Sequence, residues 1–220
     1  MSDAIVSALW LSVWVATLAT RLNALIGLPL AWVLAKRRFW GHQAVDLLVT
    51  LPLVLPPTVT GYYLIVLLGR HGWLGGPLYQ WTGWSVTFTW LAAVIAATVM
   101  ALPLMVRTSR AAMESVNPDL ERAAFTLGRS NWQTALEVTL PLARRGILAG
   151  LVLAFARALG EFGATLMLAG NIPGRTATVP LAIYTAVATG ETAQAQWLVL
   201  LLTALSCAVL IAANRLGGRV

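Results

Sequence analysis

Long apolar stretches constrain the fold of this chain more than any other feature of its sequence. A transmembrane α-helix needs about 20 predominantly apolar residues. Stretches near or above this length occupy residues 4–35, 47–69, 86–106, 146–170 and 197–213. Only 10% of the residues are charged, whereas a soluble domain carries about 25%. We therefore predict an all-α membrane protein, with about five transmembrane helices in a single domain that covers residues 1–220.

The second and third predicted spans contain prolines at positions expected to break a helix. Pro52, Pro56 and Pro57 lie in the second span, and Pro103 lies in the third. Proline removes a backbone donor and clashes with the preceding turn, so it kinks or breaks a helix. Broken helices can line a transport path or only shape helix packing, and the sequence leaves both interpretations open. Residues 179–188 are apolar but too short to cross, which predicts a partly buried segment on the outer side.

Positive charge is distributed unevenly between the loops. The residues predicted to share one side are Lys36, Arg37, Arg38, Arg107, Arg110, Arg122, Arg129, Arg144, Arg145, Arg215 and Arg219. The other side carries only Arg70 and Arg175. Because cytoplasmic loops are rich in Lys and Arg, we predict a cell (inner) membrane protein with an outside N-terminus and a cytoplasmic C-terminus. This topology accounts for the net charge of +7 without nucleic-acid binding, which favours a basic patch on one face or along a helix.

The chain lacks recognisable motifs for covalent chemistry. Its only lysine, Lys36, does not follow a glycine-rich loop, so the chain has no phosphate-binding loop for ATP of its own. His42 and His71 cannot form an H-E-x-x-H zinc site. A single cysteine, Cys207, allows neither a disulfide nor a cysteine-based metal site within one chain. We predict no catalytic residue, cofactor or metal site, and an intramembrane enzyme ranks last among the functions considered.

Residues 107–145 are predicted to form a loop with two short amphipathic helices. Asn117 is a good N-cap and Pro118 suits the first helical position. The apolar face of this first helix consists of Leu120, Ala123, Ala124 and Leu127, at helical spacing. Gly128 is predicted to end the helix in the left-handed conformation.

A second helix follows immediately in the same loop. Ser130 and Gln133 form a capping box, and Pro141 is predicted to close the helix. Its apolar face consists of Trp132, Ala135 and Leu136. These faces must be buried either on the chain's own spans or in the groove of a partner protein.

The sequence ERAAFTLGRSNWQTALEVTLP, residues 121–141, resembles the EAA loop of ABC importer permeases. The residues that carry the resemblance or adjoin it are Glu121, Arg122, Ala123, Ala124, Leu127, Gly128, Trp132, Leu140 and Pro141. Arg122 occupies the position of the family's Glu, and Glu121 lies one residue earlier. The resemblance implies that this loop is the coupling helix that docks on a separate ABC ATPase subunit, present in two copies.

Three further segments are similar to molybdate importer permeases: LPLVLPPTVTGYYL, FARALGEFGATLMLAGNIPGRT and VPLAIYTAV. Sulfate permeases share the RALGE core but tend to read G-E-Y-G-S and N-M-P-G-K, and Phe162, Ala164, Ile172 and Arg175 fit the molybdate version. The resemblance implies a type I importer permease (MetI-like) fold and a homodimeric pore in the lipid bilayer. It also implies an external molybdate-binding protein and transport of molybdate or tungstate. The alternative is a permease for sulfate or another oxyanion.

Arg157 and Glu161 lie four residues apart in the fourth predicted span, so they are expected to share a helix face. They either pair with each other and fix the packing, or Arg157 attracts an anion. In an ion-coupled secondary transporter, the other functional class considered, they would form a proton relay. Such transporters usually carry internal repeats, and we find none in this sequence. Asn171 and Arg175 are candidate docking residues for an external partner.

Overall fold

The computed structural model describes residues 3–217, and the regular elements of this part of the chain are all helical. The all-α prediction is confirmed. The helices are α1 (Asp3–Lys36), α2 (His42–Val54), α3 (Pro57–Leu68), α4 (Gly75–Thr82), α5 (Trp90–Glu114), α6 (Pro118–Thr126), α7 (Asn131–Thr134), α8 (Leu140–Leu159), α9 (Gly163–Ala169), α10 (Val179–Ala188) and α11 (Thr192–Gly217), with a π-helical turn at Ala135–Thr139 between α7 and α8.

The described residues contain four helices that are long and apolar enough to cross a membrane. They are Ile5–Lys36, Trp90–Glu114, Asn131–Leu159 and Thr192–Ile211. The remaining predicted span, residues 47–69, is divided into α2 and α3, with Leu55 and Pro56 between them. Pro56 cannot donate a backbone hydrogen bond, so the helix stops there and restarts with Pro57 at its first position.

The boundaries of two predicted spans need correction. The third predicted span, 86–106, corresponds to α5. This helix continues to Glu114, so Arg107 and Arg110 are helical rather than part of a loop. The predicted span 146–170 is broken, because α8 ends at Leu159 and α9 begins at Gly163.

The prediction that Pro141 closes a helix is wrong. Residues Asn131–Leu159 form one continuous helical rod, with Pro141 near the start of α8. In α-helical geometry the ring of Pro141 would clash with the carbonyl of Glu137. The π-helical turn Ala135–Thr139 widens the backbone at that point, with the Leu140 N–H bonded to the carbonyl of Ala135. The helical rod therefore continues past Pro141.

The core is centred on α5, which packs against α1 and α8 and more lightly against α2 and α9. Much of its buried surface is alanine: Ala92, Ala93, Ala96, Ala97 and Ala101. On α8, Gly146 and Gly150 meet α5, and a Cβ at Gly146 would collide with Ala112. Small residues allow membrane helices to approach closely and gain dispersion contacts, which accounts for this tight three-helix centre.

The helices on the far side of the two breaks, α3 and α9, pack against each other. A Cβ on Gly61 would lie 2.7 Å from the Cβ of Met167, so glycine is needed for this close approach. The short helix predicted at 179–188 is present as α10, with Val179, Leu181 and Ala186 buried. Its first backbone N–H, at Val179, donates to the Oγ of Ser12 over 2.7 Å and ties α10 to α1.

Candidate functional site

Helices α6 and α7, here called the helix pair, begin and end where local sequence signals place them. The Asn117 side chain accepts a hydrogen bond from the Asp119 N–H at 2.9 Å. At the other end Gly128 has φ +81°. The N–H of Gly128 bonds to the carbonyl of Phe125, and that of Arg129 bonds to the carbonyl of Ala124. These two bonds form a Schellman motif, which turns the chain sharply from α6 into α7.

The capping box of α7 is also formed. The backbone N–H of Gln133 donates to the Ser130 hydroxyl at 3.3 Å, and the backbone N–H of Ser130 donates to the Gln133 side chain at 2.9 Å. The two helices therefore meet in a defined corner rather than a flexible loop.

The apolar face of the helix pair is mostly uncovered. Of the predicted face of α6, only Ala124 is buried, whereas Leu127 is 82% exposed and Ala123 is also exposed. The other large exposed apolar residues of the pair and of the π-helical turn are Leu120, Phe125, Trp132 and Leu136. Burial on the chain's own spans therefore does not account for these residues. Sequence periodicity missed Phe125, which lies off the predicted stripe.

Contacts made by Glu121 and Trp132 join the helix pair to the body of the protein, and the sequence predicted none of them. Lys36 Nζ, at the end of α1, lies 3.0 Å from Oε1 of Glu121 on α6. The Thr139 hydroxyl donates to the same oxygen at 2.6 Å. In addition, Trp132 packs edge-on against Trp32 of α1, with ring centroids 6.1 Å apart. Glu121 thus links α6 both to α1 and to the rod that enters the membrane.

The remaining candidates of this loop lie outside that junction. Arg122 points away and pairs with Asp119 at 3.0 Å on an exposed surface. Leu140 is half-buried and Pro141 is exposed, both at the base of the rod.

Arg157 and Glu161 form an ion pair, with Nη1 of Arg157 2.6 Å from Oε2 of Glu161. The carboxylate side chain is 1% exposed and the arginine side chain 26%. They do not lie on one continuous helix as expected, because Glu161 is in the break after α8. From there its Oε1 accepts a hydrogen bond from the Ala164 N–H at 2.8 Å and caps α9. The carboxylate therefore holds the two parts of the broken helix together.

Asn171 and Arg175 have different surroundings. Asn171 Nδ2 donates to the Thr185 hydroxyl at 2.7 Å, which anchors the loop to α10. Arg175 is exposed. It lines a surface groove whose aromatic members are Trp10, Trp14, Trp84 and Trp90.

Within residues 3–217, no group of three or more His, Cys, Asp and Glu side chains has an arrangement suited to a metal ion.

Comparison with known sequences gives a consistent family. The sequence profile of the family described as binding-protein-dependent transport system inner membrane component matches residues 27–219. The molybdenum transport system permease protein ModB of Escherichia coli (strain K12) is 48% identical over 191 residues, which cover 86% of this chain and 83% of that protein. ModB of Haemophilus influenzae is 47% identical, with 84% and 80% covered. A probable sulfate transport system permease protein of Chlorella vulgaris is 35% identical, with 81% and 67% covered.

Solved structures share the fold. An inward-facing methionine ABC transporter, MetNI, contains a chain that matches with a TM-score of 0.77 at 19% identity, covering 99% of this chain and 98% of that one. A bacterial ABC transporter that imports alginate matches with a TM-score of 0.78 at 17% identity, covering 99% and 80%. The architecture is that of a type I ABC importer permease.

Proposed function

The chain belongs to the family of binding-protein-dependent transport system inner membrane components, and we propose that it is the pore-forming permease subunit of an ATP-driven molybdate importer. The observation that carries the choice of substrate is its 48% identity to a molybdenum permease, against 35% to a sulfate permease of comparable coverage of this chain. Tungstate, a tetrahedral dianion like molybdate, is expected to be accepted as well.

The proposed subunit has no ATP site of its own. Two copies form the pore in the lipid bilayer, two copies of an ABC ATPase bind below, and an external molybdate-binding protein delivers the anion from above. The exposed apolar residues of the helix pair support a partner at this position, since a patch of this kind on a folded protein marks an interaction site. No nucleic acid takes part.

Coupling follows from the way the helix pair is attached. We propose that ATP binding draws the ATPase subunits together and moves the docked helix pair with them. The rod Asn131–Leu159 begins in that pair and ends beside the Arg157–Glu161 ion pair. Glu121 adds a direct link to α1 through Lys36. A displacement at the helix pair is thereby passed to two membrane helices, and the pore opens alternately to the two sides.

The orientation proposed for this mechanism is an outside N-terminus and a cytoplasmic C-terminus. It is supported by the concentration of Lys and Arg on the side of the helix pair. On the opposite side Asn171 and Arg175 are proposed to form part of the docking surface for the external binding protein.

The test is uptake of radioactive molybdate into proteoliposomes that contain this chain, its ATPase and its binding protein. We expect uptake that requires ATP on the side of the membrane where the ATPase is bound. An imposed proton or sodium gradient should not change the uptake. Uptake driven by a gradient without ATP would instead indicate a secondary transporter, with Arg157 and Glu161 as the relay.

Sulfate is the second candidate substrate, because sulfate permeases are also relatives of this chain. Molybdate and sulfate carry the same charge and shape, and a pore that releases its ion needs only weak contacts. We therefore propose that the external binding protein makes the choice. If sulfate fails to enter when a sulfate-specific binding protein is fitted to the same docking surface and ATP is still hydrolysed, selectivity lies in this chain.

A further inference from the structure

A cavity of about 860 Å³ lies between the end of α1, the start of α2 and the last turns of α5. It is separate from the exposed face of the helix pair and from the Arg157–Glu161 ion pair. Its lining includes four cations, Lys36, Arg37, Arg38 and Arg110, one carboxylate, Glu114, and the side chains of Trp40 and His42. Cations outnumber carboxylates in the lining, and we call it the basic cavity.

Two of these cations have no carboxylate partner within the described part of the chain. Lys36 pairs with Glu121 at 3.0 Å. Arg110 pairs with Asp46 at 2.9 Å and with Glu114 at 2.7 Å. By contrast, the ion pairs found among residues 3–217 include neither Arg37 nor Arg38, and the Arg37 guanidinium rests 5.5 Å from the ring centre of Trp32. The basic cavity thus has an unbalanced positive charge that suits an anion.

The chain that lines the cavity is held in a defined shape. The His42 ring nitrogen Nε2 lies 3.0 Å from the Leu34 carbonyl, joining the start of α2 to the end of α1. The His42 backbone N–H bonds to the Phe39 carbonyl at 3.1 Å. Gly41, at φ +92°, makes the turn between them. The two free guanidinium groups are consequently carried on an ordered turn.

The rim of the basic cavity is apolar and unpartnered. Trp40 is fully exposed, at 101%, and Phe39 is 40% exposed. Leu47 and Leu51 follow Gln43 of the cavity at intervals of four residues on α2, and both are exposed. Tryptophan prefers the headgroup region of a bilayer. A basic recess therefore adjoins an apolar stripe that runs along α2, with the exposed indole of Trp40 beside it.

We propose that the basic cavity binds the headgroup phosphate of an anionic phospholipid, whose acyl chains lie along the exposed leucines of α2. Arginine pairs with phosphate through two parallel N–H···O bonds, and basic pockets between membrane helices on the cytoplasmic side bind anionic headgroups. A free phosphate would satisfy the guanidinium groups but would leave the apolar rim uncovered. The placement at the inner leaflet rests on the proposed topology, whereas the binding itself does not.

This site adjoins the coupling machinery. Lys36 lines the basic cavity and at the same time holds Glu121 of α6. A phosphate in the cavity would compete with Glu121 for the same ammonium group. The lipid is therefore expected to alter how firmly the helix pair is held.

The test is native mass spectrometry of the full chain released from nanodiscs that contain equal amounts of phosphatidylglycerol and phosphatidylcholine. We expect phosphatidylglycerol to be retained in preference to phosphatidylcholine. The variant Arg37→Gln/Arg38→Gln should weaken retention by about a hundredfold, because each hydrogen-bonded contact between a guanidinium and the phosphate contributes about tenfold. The variant Arg37→Lys/Arg38→Lys keeps the charge and should retain most of the lipid.

Arg144→Gln/Arg145→Gln is the matched control, since it removes the same charge from exposed positions on α8 outside the cavity. It should leave retention unchanged. Equal loss in both double variants would overturn the proposal in favour of diffuse attraction, as would equal retention of the two lipids. Displacement of the lipid by millimolar inorganic phosphate would show a phosphate site rather than a lipid site. None of these measurements uses molybdate or ATP, so failure here leaves the proposed transport function untouched.

Discussion

The ammonium group of Lys36 lies 3.0 Å from the carboxylate of Glu121 and joins the last turn of α1 to α6 across 85 positions of sequence. Both side chains are largely shielded, with 18% and 14% of their surfaces exposed. Since Thr139 donates to the same carboxylate oxygen, three segments of the chain meet at one atom. Lys36 is the only lysine of the protein, and its position at this junction gives it a specific role in the proposed coupling.

Breaking this junction is expected to loosen coupling without unfolding the protein. Lys36→Met and Glu121→Gln should each lower molybdate-stimulated ATP hydrolysis severalfold, and the double variant should be little worse than either one. A pair of this kind contributes about 1 kcal/mol, which corresponds to about fivefold, and residues in direct contact give non-additive effects. Glu191→Gln is the control, because it removes one carboxylate at an exposed position outside the helix pair. Additive losses would contradict a direct interaction.

Gly128 provides a test of the corner between the two helices. At φ +81° a side chain is strained, yet nothing lies within 4 Å of a Cβ built there. Gly128→Val should therefore cost about 1–2 kcal/mol through the backbone alone. Gly128→Asn should cost less, since asparagine tolerates this conformation. We expect the valine variant to insert normally but to bind the ATPase more weakly in a pull-down titration, and normal substrate-stimulated hydrolysis would count against the idea.

Local signals predicted this corner well, because each depends only on neighbouring residues. Asn117, Gly128 and the Ser130–Gln133 box mark helix ends through bonds to nearby backbone groups. The length of the apolar segments revealed where they lie, although segments 47–69 and 146–170 are each divided between two helices. The resemblance of residues 121–141 then supplied the family.

What the sequence did not reveal depends on tertiary or unusual backbone geometry. The π-helical turn lets Pro141 lie inside a helix, and no residue pattern predicted this turn. The break at Gly160 places Glu161 outside α8, although spacing suggested a shared helix face. The Lys36–Glu121 contact joins residues from distant parts of the chain, which single-sequence periodicity cannot pair.

The proposed topology can be checked by labelling single cysteines with an impermeant reagent in intact cells. Cys207 is exposed, so Cys207→Ala is the background. In cells that lack the ATPase, so that no partner covers the helix pair, Gln80→Cys on α4 should be labelled from outside, and Leu127→Cys only after the membrane is permeabilised. Both positions are exposed in this chain. A difference in labelling therefore reports the side of the membrane and not the burial of the residue. Labelling of the second position in intact cells would reverse the orientation.

The Arg157–Glu161 pair is expected to act in stability rather than proton transfer. Arg157→Met leaves a carboxylate that is 1% exposed without its counter-charge, which costs about 3–5 kcal/mol. Glu161→Gln should cost less, because the amide oxygen can still accept from the Ala164 N–H. The double variant should recover part of the thermal stability lost in Arg157→Met. Glu161→Gln should keep ATP-driven uptake, and loss of uptake in a variant of normal stability would favour the relay.

Arg175 is expected to speed the encounter with the external binding protein. It is exposed beside a groove lined by tryptophans, and a rim charge changes the association rate more than the lifetime of a complex. Arg175→Glu should lower kon by about tenfold at low salt, and the difference should shrink as salt screens the charge. Arg70→Glu, the same change at the other arginine predicted to lie outside, is the matched control and should have little effect. Surface plasmon resonance with the chain in nanodiscs gives both rates. An equal effect of the two variants, or an effect confined to koff, would exclude a specific contact by Arg175.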